Sequence, residues 1–126
     1  QLMGAVVCQV PLLDMKRYSH LLAGASWMEE YGDPDKPEEW EFLQTFSPYQ
    51  NVKAGMAYPP VLFMTSTRDD RVHPGHARKM AARMLGLGYD IRYFENIEGG
   101  HGGAADNKQA AHMWALAYTF LWQKLK

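Results

Sequence analysis

Three stretches of this chain carry apolar residues without the polar alternation of a strand that faces water on one side. Gly4-Ala5-Val6-Val7-Cys8-Gln9-Val10 and Val61-Leu62-Phe63-Met64-Thr65-Ser66 are rich in β-branched and small apolar residues, as expected of strands covered on both faces. Asp90-Ile91-Arg92-Tyr93-Phe94-Glu95 reads as a third, so the pattern predicts strands over 5–10, 61–66 and 90–95. Between the second and third, Ala77, Met80, Ala81, Met84 and Leu85 recur at helical spacing from Pro74 to Leu85, with Pro74 in the first turn and Gly86 and Gly88 as stops. A strand, helix, strand unit implies a parallel pair. The last segment opens at Asp106 with Gln109 three residues on, resembling a capping box. It then sets Ala110, Trp114, Ala117 and Leu121 on one helix face and ends in Lys124 and Lys126, which suit the negative end of a helix dipole.

Residues 11–60 follow no such rhythm. A short helical stretch is expected from Asp14 to Leu22, then a loop through Gly24-Ala25-Ser26-Trp27 and Tyr31-Gly32-Asp33-Pro34. A second helix is expected over Pro37 to Leu43, with Glu38 and Glu39 in its first turn and Ser47-Pro48 closing it. Neither an internal repeat nor a low-complexity segment interrupts the chain. The sum is an α/β architecture with three parallel strands, and it is small. Open parallel sheets need several strands and helices on both faces, and here the first strand is left with an apolar edge to be paired. The chain also begins at Gln1 rather than at a methionine and enters a strand almost at once. Both features predict a portion of a larger domain, partnered at that edge by the rest of the domain or by a complementary chain.

Composition narrows the classes of partner. Of 126 residues, 47% are hydrophobic and 21% charged, ordinary for a globular domain. Thirteen basic residues balance fourteen acidic ones without clustering, so neither nucleic acid nor an anionic membrane is an expected partner. No apolar run approaches the roughly 20 residues that span a bilayer. Cys8, the single cysteine, excludes an intrachain disulfide and reads as a buried, inert thiol. That leaves the compartment open, with the cytoplasm favoured over the periplasm.

In an open parallel sheet chemistry gathers at the carboxyl ends of the strands. The second strand runs into Thr67-Arg68-Asp69-Asp70-Arg71-Val72-His73-Pro74, and the third runs into Asn96-Ile97-Glu98-Gly99-Gly100-His101-Gly102-Gly103. An acid and a histidine therefore leave adjacent strands on one edge, and a carboxylate behind one ring nitrogen orients a histidine as a general base. The missing partner is a nucleophile. Ser19, Ser26, Ser47 and Ser66 lack the glycines of a G-x-S-x-G turn, so a serine is expected upstream of Gln1.

Other readings of these residues are weaker. A phosphate-cradling glycine loop needs a helix starting directly after it, and the next begins near Asp106. Asp69 as a helix cap competes with His73, which Pro74 makes the more natural cap, and one of Asp69 and Asp70 is expected to serve structure. His73 and His76 form an H-x-x-H pair that departs from a zinc protease motif in having Pro74 between its histidines and no glutamate base. Arg71 as a solvated charge and Trp27 as plain core are the alternatives for those two residues.

The sequence resembles the carboxyl-terminal part of the catalytic domain of the prolyl oligopeptidase family of serine peptidases, an α/β-hydrolase fold, over essentially its whole length. Gly4-Ala5-Val6-Val7 leading to Pro11-Leu12-Leu13-Asp14-Met15, Trp27-Met28-Glu29-Glu30-Tyr31-Gly32, Ser47-Pro48-Tyr49-Gln50-Asn51-Val52, and Asp69-Asp70-Arg71-Val72 with Gly100-His101-Gly102 carry the resemblance. It implies that Asp69 is the catalytic acid and His101 the general base. It also implies that Arg71 hydrogen-bonds a substrate carbonyl, that Trp27 stacks on a substrate proline, and that Tyr31 and Val72 complete that pocket. The implied substrate is a peptide and the implied chemistry needs no metal or organic cofactor. The serine elbow and the propeller domain of the family have no counterpart in these residues, which predicts that the segment alone is inactive. A non-catalytic binding module and an esterase of the same fold are the rival functions.

Overall fold

The computed structural model describes residues 2–126, leaving Gln1 outside. Strands β1 (Val6–Gln9), β2 (Val61–Ser66) and β3 (Ile91–Asn96) form one parallel sheet in the order β1-β2-β3. Each boundary lies within one residue of the expected one. The register sets Val6 opposite Val61 and Val61 opposite Ile91, and its last pair is Ser66 with Asn96.

All six residues of β2 are buried, as a central strand covered on both faces must be. Alternation along the strand sends its side chains into two different cores. Val61 and Phe63 pack with Ile91 and with Met80, Ala81 and Met84 of α4 (Gly75–Gly86). Leu62 and Met64 pack on the other face with Met113, Ala117 and Phe120 of α5 (Asn107–Leu125). The strand β1 is only half-buried from Val6 to Cys8. It is followed by Val10, whose φ of 46° is costly for a β-branched residue, while its N–H still reaches Met64 O at 2.8 Å.

The starts of both long helices follow their sequence signals. The N-cap of α4 falls on Pro74, and the His73 ring takes the capping bond, its Nδ1 accepting from Gly75 N at 2.9 Å. Asp106 caps α5 by accepting from Gln109 N at 2.8 Å, and the Gln109 amide oxygen reaches back to Ala105 N at 2.9 Å. The buried face of α5 is corrected in part: of the expected residues Ala117 is buried and Leu121 packs against the same core, but Trp114 does not. Met113, Ala117 and Phe120 face the sheet, whereas Trp114 is 53% exposed. Gly103 leaves room beneath Met113, a Cβ there lying only 2.8 Å from Met113 Cε.

Between β1 and β2 run two 3-10 turns (Tyr18–His20 and Leu22–Trp27), then α1 (Met28–Tyr31), α2 (Pro37–Leu43) and α3 (Pro48–Asn51). The helix expected over Asp14 to Leu22 is thus only the first 3-10 turn, and the loop expected at Gly24 to Trp27 is the second. Ser47-Pro48 opens α3 instead of merely closing α2, and Ser47 Oγ accepts from Met15 N at 3.0 Å. A third core holds this segment together: Met15, Tyr18 and Leu43, with Trp27, Tyr31 and Trp40 packed around them. No helix among the described residues is long and apolar enough to cross a membrane.

Candidate active site

Beyond Ser66 the chain turns sharply, and Asp69 is the hub of that turn. Its N–H donates to Ser66 O at 3.3 Å, and its Oδ1 accepts from both Arg71 N and Val72 N at 2.9 Å. An aspartate that takes N–H groups two and three residues on builds the turn from its own side chain. The Asp69 side chain is wholly buried, and His101 arrives opposite it from the loop after β3. His101 Nδ1 stands 3.0 Å from Asp69 Oδ1 and 3.1 Å from Oδ2. A buried carboxylate facing Nδ1 keeps the proton on that nitrogen, so exchange with any substrate falls to Nε2. The ring is 37% exposed, open enough to meet one. The division of labour expected between adjacent acids is absent: Asp69 both shapes the turn and faces the histidine, and Asp70 is exposed.

Of the other candidate residues, Arg71 and Val72 belong to the Asp69 turn itself, and Trp27 and Tyr31 come from the segment between β1 and β2. Val72 is buried and Arg71 is exposed. Arg71 O accepts from Ala23 N at 3.2 Å, a bond that ties the 3-10 turn bearing Trp27 to the Asp69 turn. The Trp27 and Tyr31 side chains are half-buried on the third core, where the Tyr31 ring meets Tyr18 edge to face at 5.8 Å.

Two groups of polar residues were not evident from sequence. Ser66 and Asn96 both donate to Gly103 O, from Oγ at 3.1 Å and from Nδ2 at 2.8 Å. The only sequence signal for them is their position as the last polar residues of two strands that run into the site.

The second group joins the start of α4 to the chain after β1. His76 is 2% exposed and its Nδ1 accepts from Asp14 N at 3.0 Å. Burial pushes its pKa down to about 4. Asp14 accepts from Gln50 Nε2 at 2.8 Å and pairs with Lys79. Burial works to raise the Asp14 carboxyl, but the hydrogen bonds from Lys79 and Gln50 and the Lys79 charge outweigh it and hold the pKa below its ordinary value. In the H-x-x-H pair, each ring thus has its Nδ1 engaged by backbone amides.

A parallel sheet with helices on both faces, delivering a carboxylate and then a histidine to its carboxyl edge, is the arrangement of an α/β-hydrolase. Within that class the chain belongs to the prolyl oligopeptidase family, which it matches over residues 1–126. It is 56% identical over 124 residues to an uncharacterized peptidase of Sinorhizobium fredii, covering 98% of this chain and 17% of that protein. A prolyl endopeptidase of Elizabethkingia miricola is 46% identical over 76 residues, 60% of this chain and 11% of that protein. Among solved structures, one from a study of two prolyl endopeptidases superposes with a TM-score of 0.90 at 43% identity, covering 98% of this chain and 19% of that one. A post-proline cleaving enzyme from Rickettsia typhi gives 0.85 at 38% identity, covering 94% of this chain and 17% of that one. The chain therefore spans less than a fifth of the length of these relatives.

Proposed function

We propose that this chain is the carboxyl-terminal portion of the catalytic domain of a serine peptidase that cleaves after proline, and that it supplies the acid and base of a Ser-Asp-His triad. The observation that carries the reading is the 3.0 Å approach of His101 Nδ1 to the buried Asp69 carboxylate at the carboxyl edge of the sheet. Family membership and relatives described as prolyl endopeptidases support it.

The serine comes from polypeptide preceding residue 1. His101 Nε2 takes the proton from its hydroxyl as the oxygen adds to the peptide carbonyl, giving a tetrahedral intermediate. That intermediate collapses to an acyl-enzyme as His101 passes the proton to the departing amine. Water then repeats the path: His101 takes its proton, hydroxide adds to the acyl carbon, and the serine oxygen leaves with the proton back in place. Asp69 holds the ring through its Nδ1 and stabilises the imidazolium that forms. Arg71 binds a substrate carbonyl, and Trp27, Tyr31 and Val72 receive the proline, whose rigid ring loses little entropy on an indole face.

The segment alone is inactive on this reading, because it holds no activated serine. The test is a fluorophosphonate probe applied to the full-length polypeptide and to its His101→Ala variant, alongside hydrolysis of a chromogenic peptide with proline before the scissile bond. Serine labelling and post-proline cleavage in the first, both lost in the second, are the expected results. Labelling retained in His101→Ala contradicts the assigned base.

A further inference from the structure

His101 sits in a loop with glycines at 99, 100, 102 and 103, so the loop has few side chains of its own with which to fix its course. Yet a general base misplaced by about 1 Å loses on the order of 10²-fold in rate. The loop is fixed from below, by the last rung of the sheet. Ser66 and Asn96 are register partners at the carboxyl ends of β2 and β3, and both are buried. Their side chains converge on one acceptor, Gly103 O, at 3.1 and 2.8 Å.

Asn96 does more than close that end. Its second N–H reaches Gln109 Oε1 at 2.7 Å, and its Oδ1 accepts from Glu98 N at 3.2 Å. The same Gln109 donates through Nε2 to Glu98 Oε2 at 2.8 Å. One asparagine thus holds the strand end, the outgoing limb of the loop at Glu98, the returning limb at Gly103, and the first turn of α5. The two limbs are in close contact at this clasp. A Cβ on Gly99 would lie 2.2 Å from Gly103 O and 2.7 Å from Asn96 Nδ2. His101 therefore stands at the tip of a short excursion whose base is pinched shut.

Ser66 belongs to both partners of the pair. Its hydroxyl holds Gly103 O, on the His101 side, and its carbonyl accepts Asp69 N at 3.3 Å, on the acid side. Asn96 O likewise accepts Thr67 N at 2.9 Å, extending the ladder into the Asp69 turn.

We propose that Asn96 and Ser66 are positioning residues for the His101 and Asp69 pair: one rung of the sheet sets the 3.0 Å Nδ1 to carboxylate distance by clamping Gly103 and the Asp69 turn together. The proposal rests on the reading of His101 as general base. Asn96 is the more demanding of the two, because two amide donors meet two oxygen acceptors there, and a carboxylate of nearly the same shape offers no donor to Gly103 O.

The experiment uses the full-length enzyme with Asn96→Asp, Ser66→Ala, His101→Ala and the combined Asn96→Asp/His101→Ala, each measured for kcat, KM and melting temperature. Asn96→Asp is expected to lower kcat by about 10²-fold with KM within about twofold. Ser66→Ala is expected to lower it by about fivefold, since one of two bonds to the same carbonyl remains. The combined variant is expected to lose no more than His101→Ala alone, because a clasp that acts through the histidine has nothing left to act through. A further loss in the combined variant, or a kcat within twofold of the parent in both Asn96→Asp and Ser66→Ala, overturns the proposal. Should Asn96→Asp fail to fold, Ser66→Ala decides. Residual serine labelling in His101→Ala marks failure of the base assignment itself, which a normal Asn96→Asp enzyme with a dead His101→Ala enzyme does not.

Discussion

The carboxyl edge of the sheet and the segment between β1 and β2 are assembled by different forces. At the edge, Asp69 and His101 are held by directional bonds: two backbone N–H groups on Asp69 Oδ1, and two donors on Gly103 O. In the segment, Trp27 and Tyr31 rest on an apolar cluster of Met15, Tyr18 and Leu43, where contact area rather than angle sets position. A hydrogen bond fails steeply with geometry, whereas an apolar contact degrades with area. The two regions are joined by directional bonds of their own, among them Ala23 N to Arg71 O at 3.2 Å and Asp14 N to His76 Nδ1 at 3.0 Å. Damage at the edge should therefore appear in turnover, and damage in the segment in binding and stability.

Asp69→Asn gives the largest expected effect and the sharpest break between the regions. Asparagine keeps the shape and offers an oxygen to Arg71 N and Val72 N, but then points its amide protons at His101 Nδ1. That favours the wrong tautomer, and kcat in the full-length enzyme should fall by about 10⁴-fold with KM nearly unchanged. Steady-state kinetics on a proline-containing chromogenic peptide measures it. A loss confined to KM would place Asp69 in binding and merge the two regions.

The joint between the regions is expected to fail in acid. In the folded chain His76 has a pKa of about 4, against the ordinary 6.5 of an unfolded chain, so between those values the unfolded state binds the extra proton. Stability should fall as pH drops from 6.5 towards 4, by about 1.4 kcal/mol per unit and about 3 kcal/mol in all. Asp14 acts in a different window. Its folded pKa lies below the ordinary 3.8, so its contribution is present above that value and is lost only below it. Urea denaturation of the full-length protein between pH 7 and 4.5 reads the slope, and His76→Asn should flatten it. An unchanged slope in that variant would assign the acid sensitivity elsewhere.

The same contrast explains what was legible in the sequence. The strands were, because short apolar runs such as Val61 to Met64, set off by Pro59-Pro60, suit a strand covered on both faces. That an acid from the loop after β2 meets His101 followed from topology, since parallel neighbours release their loops on one edge, whereas the choice of Asp69 over Asp70 rested on the family resemblance. The buried face of α5 was not, because Met113, Trp114, Tyr118, Phe120 and Leu121 put apolar groups around much of its circumference. Tertiary packing on Leu62 and Met64 selects Met113, Ala117 and Phe120, and Gly103 leaves space for Met113. The clasp and the joint were illegible for another reason. Each is a side chain bonding to backbone outside any repeating pattern, across 7 residues from Asn96 to Gly103, 37 from Ser66 to Gly103 and 62 from Asp14 to His76, and such bonds leave no periodicity.

Trp27→Ala gives the smallest of these effects and tests whether area alone governs the segment. The indole is half-buried on the third core, so it has both a packing surface and an open one. Removing it should raise KM for a proline substrate by about tenfold, the loss of roughly 50–60 Å² of apolar contact, with kcat within about threefold because no bond to Asp69 or His101 is touched. Trp27→Phe retains a flat face and should recover most of the affinity. An esterase of the same fold would discriminate differently: its substrate has no proline ring to stack, and Trp27→Ala would leave hydrolysis of a simple ester unchanged while abolishing nothing. If kcat instead fell as far as in Asp69→Asn, the indole would be fixing the geometry of the edge, and the division between a region held by angle and a region held by area would have to be redrawn.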